Sequence, residues 1–385
     1  MPLRGAILPW GKSNLMRIFH LVPNLNYGGL QKVVQLLALH QIRAGHSVTI
    51  GSWNNDNNHP ELQLELEGAG ARVIYLRRGA EGKFAHGKKY SLLKLKGYLG
   101  AANADILHVH NPFDYYIFGA LAARFARSTK TVNTIHLTAM FDHPGFGRNG
   151  RTKFRIAAFF TDALVSVCQE EDEWLRRRFF LPGTKRFVVD NGIDLSAFLA
   201  VPDRIPRDEI VLGFAGRMMP EKNHRMLIEA FALARRKYSN VSLRLLGGGR
   251  LEPELREQVR NLGLDDSVEF CGFSHDVPAF LSSLDIYVLP SDFEALPLSL
   301  LEAIASGLPV VSTSVGGTAS IVKNTDSGWL CEPGNPEAML AAMEMAISDP
   351  DRGARTKRAR QLVTELYSAD RMASDYEAIY TTLLA

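Results

Sequence analysis

The chain has 385 residues, 46% of them hydrophobic and 22% charged, the balance of a soluble globular protein with room for two cores. No uncharged apolar run reaches the length of a bilayer span, and Cys168, Cys271 and Cys331 are too few and too scattered for a disulfide framework or a zinc site, so a reducing cytoplasm is expected. The formal charge of +3 conceals a split: residues 1–190 hold 25 Lys and Arg against 14 Asp and Glu, residues 191–385 hold 19 against 27, and the basic first half is the one expected to meet an anionic partner.

Residues 1–15 carry a short apolar patch broken by Pro9, without the long apolar region and small-residue cleavage site of a signal peptide. They are expected to be a loose extension, or a misplaced start ahead of Met16. From there short β-branched runs alternate with amphipathic stretches. Strands are predicted at 17–22, 46–53, 71–76, 105–110, 130–136, 163–168 and 186–192, with a glycine-ended helix over 30–45 and helical patterns between most of the others. This reads as a parallel, doubly wound sheet in a first domain, 16–192.

The polar, proline-bearing stretch 193–209 reads as a linker. Alternation then restarts: strands at 210–216, 242–247, 267–272 and 285–290, helices at 224–238, 252–263 and 277–284, and a strand-loop-helix-strand unit ending in VVST at 310–313. Helices near 335–348 and 351–366 complete a second domain, 210–366, and a last helix, 367–385, closes the chain.

Chemistry is concentrated in a few loops. Gly28 and Gly29 follow the first strand and open a helix, where backbone can approach a phosphate; the same pair equally suits a tight turn. In GFAGRMMPEKNH (213–224), Arg217 and Lys222 stand in the loop before a helix, placed to grip a diphosphate by fork and by point charge. LLGGGRLEPEL (245–255), with Gly247, is read as a turn near the nucleotide.

In SDFEALPLSLLEAIASGLPVV (291–311), Glu294 and Glu302 bracket seven residues where a loop becomes a helix, a place that suits recognition of sugar and ribose hydroxyls. Ser291 or Asp292 is expected to cap that turn, with Pro297 tolerated in the first helical turn. Asp349 and Asp351 are read as helix-capping residues rather than a metal pair. His108 and His110 are read as facing opposite sides of their strand, with only His110 able to reach a crevice, so no metal site is expected. His136 ends its strand before a polar loop and is either a structural histidine or a site residue. The cations of 72–96, and Arg148, Arg151, Lys153 and Arg155 with Phe154, Phe159 and Phe160, fit an anionic lipid surface or a solvated face; no nucleic-acid motif accompanies them.

Taken together, FEALPLSLLEAIASGLPVVSTSVGG, GRMMPEKN and DNGID (190–194) resemble the retaining glycosyltransferases of family 4, over essentially the whole chain from Met16. The resemblance implies an α/β GT-B fold of two facing Rossmann-like domains with the last helix crossing back to the first. It implies that Glu294 contacts the donor sugar, that Glu302 contacts the ribose, and that Arg217 and Lys222 hold the diphosphate as it leaves. Gly28, Gly29, Gly216, Gly247, Ala295, Leu296, Pro297 and Leu298 would complete the donor site, His136 would lie near the anomeric carbon, and amides at 315–317 and the helix from Leu296 would stabilise the anion. Gln31 stands where the family commonly has glutamate.

The implied activity is retaining, metal-independent hexosyl transfer, without a cofactor, from a nucleotide sugar to a hydroxyl of a glycan or lipid-linked acceptor. The implied setting is surface polysaccharide, lipopolysaccharide or glycolipid assembly at the inner membrane face. Rival readings are a sugar-nucleotide epimerase or phosphorylase on the same fold, and a catalytically idle binding protein.

Overall fold

The computed structural model describes residues 15–26, 28–54, 60–76, 88–111, 114–126, 129–138, 141, 150–199 and 208–385. The expected N-terminal extension, apart from Leu15, lies outside these residues, as do 77–87 of the basic stretch, Arg148, and 200–207 of the expected linker.

Strands β1 (Arg17–Val22), β2 (Ser47–Ser52), β3 (Arg72–Tyr75), β4 (Ile106–His110), β5 (Lys130–Ile135), β6 (Ala163–Ser166) and β7 (Lys185–Val188) form one sheet in the order β3-β2-β1-β4-β5-β6-β7. Strands β8 (Ile210–Ala215), β9 (Val241–Leu246), β10 (Val268–Gly272), β11 (Ile286–Leu289), β12 (Val310–Thr313) and β13 (Gly328–Cys331) form a second, β10-β9-β8-β11-β12-β13. Every neighbouring pair of the second sheet is parallel, as are β2–β3, β1–β2 and β1–β4 of the first. Parallel strands need crossovers, and the helices read from the sequence supply them.

Both sheets are doubly wound, and each reverses its strand order beside its first strand, between β1 and β4 and between β8 and β11. Ligands of such folds bind outside the carboxyl ends of the strands at this reversal. The strands that flank it are apolar on both faces: Ile18, Phe19, Leu21, Ile106, Leu107 and Val109 in the first sheet are almost wholly buried, as are Leu212, Phe214, Ile286 and Val288 in the second. Burying each such side chain is worth about 1.5–3 kcal/mol. Rigid central strands thus anchor the loops that leave them.

Contacts divide the chain into two compact units. The first comprises residues 1–133, 156–163 and 380–385; the second comprises 134–155 and 164–379. The last helix, Ala369–Leu384, therefore ends in the first unit.

One sequence expectation fails in the first unit. His108 and His110 do not face opposite sides: strand side chains alternate, so residues two apart share a face, and these two rings lie 4.0 Å apart. The pairing of β1 with β4 sets His20 opposite His108, making a fully buried group of three histidines whose donor nitrogens lie within 4.8 Å of one another. His20 Nδ1 meets His110 Nε2 at 3.0 Å, His20 Nε2 meets Gln41 Oε1 at 2.8 Å, and His108 Nδ1 meets the Tyr380 hydroxyl at 2.7 Å. Burial lowers the His20 pKa to about 4, so this ring is neutral at ordinary pH.

Candidate functional site

Loop 216–223 leaves the carboxyl end of β8 and loop 290–297 leaves that of its neighbour β11, so the two loops meet at the reversal of the second sheet. Between them, Lys222 Nζ lies 2.6 Å from Glu294 Oε1, and Ser291 Oγ donates to the same oxygen at 2.7 Å. Lys222 is four-fifths covered and Glu294 nine-tenths covered, so solvent screens this pair far less than an exposed one. Arg217 is exposed, its guanidinium 4.0 Å from Glu221, and can swing toward a ligand at little cost.

The glycine positions have geometric causes. Gly247, at φ 124°, and Gly249, at φ 159°, lie so close to loop 216–218 that a Cβ would overlap the carbonyl oxygens of Gly216 and Met218. Hydrogen bonds from Gly216 N to Leu246 O and from Met218 N to Gly248 O, both 2.9 Å, tie these turns together. Gly316, at φ 48°, packs where a Cβ would strike the Glu294 carbonyl oxygen. Only glycine fits.

The helix carrying Glu302 runs Leu298–Ala305, two residues later than the expected start near Leu296. Pro297 is its N-cap in extended conformation, and no side chain caps it. Ser291 and Asp292 therefore do not have the capping role expected of them: Ser291 binds Glu294, and Asp292 Oδ1 accepts from Asn223 Nδ2 at 2.9 Å. Of the amides expected to stabilise an anion, two are engaged within the protein, Val315 N with Thr313 O and Thr318 Oγ1, and Gly317 N with Ala295 O at 2.7 Å.

Residues that sequence reasoning missed hold the backbone beneath the glutamates. Within the second unit, Ala295 O also accepts from Cys168 Sγ at 3.5 Å, and Leu296 O accepts from Asn191 Nδ2 at 3.1 Å. Burial raises the Cys168 thiol pKa, opposed in part by a hydrogen bond with the Glu171 backbone and reinforced by the Glu170 carboxylate, so this cysteine is a packing group rather than a nucleophile. Tyr287 is fully buried, donates to Ala215 O at 3.2 Å, and is itself pushed up in pKa, chiefly by burial. A hydroxyl in the otherwise aliphatic strand IYVL was the available signal.

The other expected site residues are carried by other elements. Gly28 is the N-cap of the helix Gly29–Arg43 in the first unit, extended at φ 172° rather than left-handed; a Cβ there would meet the side-chain amide of Gln31. His136 follows β5 in the second unit, half-buried, its pKa lowered to about 3 by burial, so it acts as a neutral imidazole. Asp349 Oδ1 accepts from Asp351 N at 2.9 Å and Oδ2 from Arg355 at 3.1 Å; Asp351 is the N-cap of the helix Arg352–Leu366 but makes no side-chain cap bond. Phe154 is buried against Phe141 and Phe179, which removes it from the expected lipid-facing set, whereas Phe159 is exposed.

The chain is similar in sequence and in fold to known proteins. Residues 27–197 match the model of Glycosyltransferase Family 4, and residues 199–362 that of Glycosyl transferases group 1. An uncharacterized glycosyltransferase of Haemophilus influenzae is 30% identical over 280 residues, 68% of this chain and 74% of that protein. The chain belongs to glycosyltransferase family 4. Among its relatives, the UDP-Gal:alpha-D-GlcNAc-diphosphoundecaprenol alpha-1,3-galactosyltransferase of Escherichia coli is 25% identical over 77% of this chain and 78% of its own. The solved structure of Anabaena HepE in complex with UDP-glucose superposes with a TM-score of 0.79 at 20% identity, covering 95% of this chain and all of that one. The lipopolysaccharide outer core galactosyltransferase WaaB superposes with a TM-score of 0.71 at 16% identity over 95% of this chain. The GT-B architecture of this family 4 glycosyltransferase is thereby shown.

Proposed function

We propose that the chain is a retaining hexosyltransferase that takes a sugar from a uridine-diphosphate donor bound at the 216–223 and 290–297 loops, and needs no metal ion or other cofactor. The observation that carries this is the Lys222–Glu294 pair, with Arg217 on the same loop as Lys222. In the donor complex Lys222 turns from Glu294 to the diphosphate, Arg217 joins it, and Glu294 is released to the hydroxyls of the sugar, with Glu302 at the ribose. Glycosyl transfer passes through an oxocarbenium-like state in which the leaving diphosphate gains charge, and preorganised cations act where that charge develops. The leaving phosphate then accepts the proton of the acceptor hydroxyl on the same face, with neutral His136 near the anomeric carbon.

The acceptor is a lipid-linked or other anionic glycan, in surface polysaccharide, lipopolysaccharide or glycolipid assembly. Support comes from the basic first half of the chain and from the diphosphoundecaprenol substrate in the name of the Escherichia coli relative. No helix among the described residues is long and apolar enough to cross a membrane. Peripheral attachment at the cytoplasmic face fits the helix Gly150–Phe159, which exposes Arg151, Lys153, Arg155, Ile156 and Phe159. Flotation with vesicles that contain phosphatidylglycerol, but not with pure phosphatidylcholine, is expected; salt-independent flotation with both counts against the charge-based surface.

Glu294→Ala is expected to lower turnover of the nucleotide sugar at least about a hundredfold while the circular dichroism spectrum is kept. Undiminished transfer removes Glu294 from the site. Proton NMR of the first-formed product reads the anomeric configuration, and unchanged activity in excess EDTA is expected. An acceptor-dependent product separates transfer from the epimerase reading.

A further inference from the structure

Lys222 is followed immediately by Asn223, whose backbone lies in the left-handed region at φ 45° and ψ 46°. Non-glycine residues enter this region uncommonly, and asparagine does so more readily than most because its short amide bonds to local backbone. Asn223 Oδ1 accepts from Met226 N at 3.2 Å and caps the helix His224–Lys237. Its Nδ2 does something a cap does not require: it donates to Asp292 Oδ1 at 2.9 Å. In return, Asp292 N donates to Glu221 O at 2.9 Å. Aspartate would cap the helix and enter the left-handed region as well, so the amide nitrogen is what asparagine adds.

The two loops are thus stitched by one side-chain bond and one main-chain bond. The stitch lies one residue after Lys222 and two residues before Glu294. Both loops belong to the second unit.

We propose that Asn223 and Asp292 form a positioning pair that fixes the spacing between the loop of Lys222 and the loop of Glu294. This rests on the donor-site reading above. When Lys222 leaves Glu294 for a diphosphate, the only direct side-chain tie between those two residues is broken, and the Asn223–Asp292 tie keeps the backbones in register. Neither residue is assigned a contact with the donor. A misplacement of about an ångström in such a frame costs on the order of a hundredfold in rate.

The test exchanges donor and acceptor. Asn223→Asp keeps the capping oxygen but sets two carboxylates face to face, whereas Asn223→Asp combined with Asp292→Asn restores a complementary pair with the roles reversed. Asn223→Gly removes the amide, accommodates the left-handed backbone, and as an N-cap costs little. Titration calorimetry with UDP, GDP and ADP identifies the nucleotide that the wild type binds, and turnover of the matching nucleotide sugars gives kcat and KM.

Asn223→Asp and Asn223→Gly are each expected to weaken nucleotide binding about tenfold and to lower kcat more than they raise KM. The reversed pair is expected to return to within about threefold of wild type. Binding and kcat within twofold of wild type in both single variants overturn the inference, as does a reversed pair no better than Asn223→Asp alone. A wild type that binds none of the three nucleotides, or a fully active Glu294→Ala, instead overturns the donor-site reading. Loss in Glu294→Ala beside unchanged Asn223 variants removes only the positioning pair.

Discussion

Lys222 and Glu294 are seventy-two positions apart in the chain and 2.6 Å apart in space. The motifs mark each of them but not the bond between them, because a motif names residue types and not the partner that is present before the ligand arrives. Ser291 and Asp292 show the same limit. Their types and positions suggested caps, yet the nearest unmet groups were Glu294 and Asn223, and short polar side chains bond to what lies nearest. His224, beside the pair, carries a prediction. It is buried against Phe214, ring centres 4.9 Å apart, with no hydrogen-bond partner on either ring nitrogen. Burial, reinforced by the Lys222 charge, lowers its pKa to about 4 from an ordinary 6.5. The folded state thus binds fewer protons than the unfolded one between these values. The stability this contributes is whole above pH 6.5, falls as the pH drops through the window, and is lost below about 4. His224→Phe should flatten the melting curve against pH and raise the midpoint at pH 5. A slope like that of wild type between pH 6.5 and 4 counts against it.

At the level of elements, most strands are legible to within one or two residues because alternation and chain breakers are local properties, but β7 ends at Val188, four residues before its expected end at 192. The helix Leu298–Ala305 starts two residues later than its apolar pattern suggests because its entry is set by Pro297 in extended conformation and by contacts from loop 315–317. The histidine error was one of period: a two-residue spacing on a strand means one shared face. Gly316 offers a test of how tightly loop 315–317 packs on Glu294. Gly316→Ala places a Cβ against the Glu294 carbonyl at a left-handed φ, so a loss of about 1 kcal/mol or more in urea unfolding is expected, with a larger fall in donor turnover than in stability. A variant as stable and active as wild type would show that the loop yields freely.

For the whole molecule, the buried histidines hold the first unit together around residues that arrive from far apart in sequence. Tyr380, in the last helix, reaches His108 across 272 positions. Tyr380→Phe takes that 2.7 Å hydrogen bond from a fully buried ring, and a destabilisation of about 1–3 kcal/mol is expected in equilibrium unfolding. A change below a few tenths would mean that the hydroxyl contributes nothing. Two α/β units, parallel sheets and the loops that hold the candidate donor residues were determined by the sequence alone, because hydrophobic period, glycine breaks and motif spacing are properties of neighbouring residues. Tertiary structure decided what those properties do not contain. The adjacency of β8 and β11 brings Lys222 to Glu294 and Asn223 to Asp292, and the adjacency of β1 and β4 brings His20 to His108. Such pairings depend on which strands become neighbours when both sheets bury their apolar faces, and that choice is made by the chain as a whole.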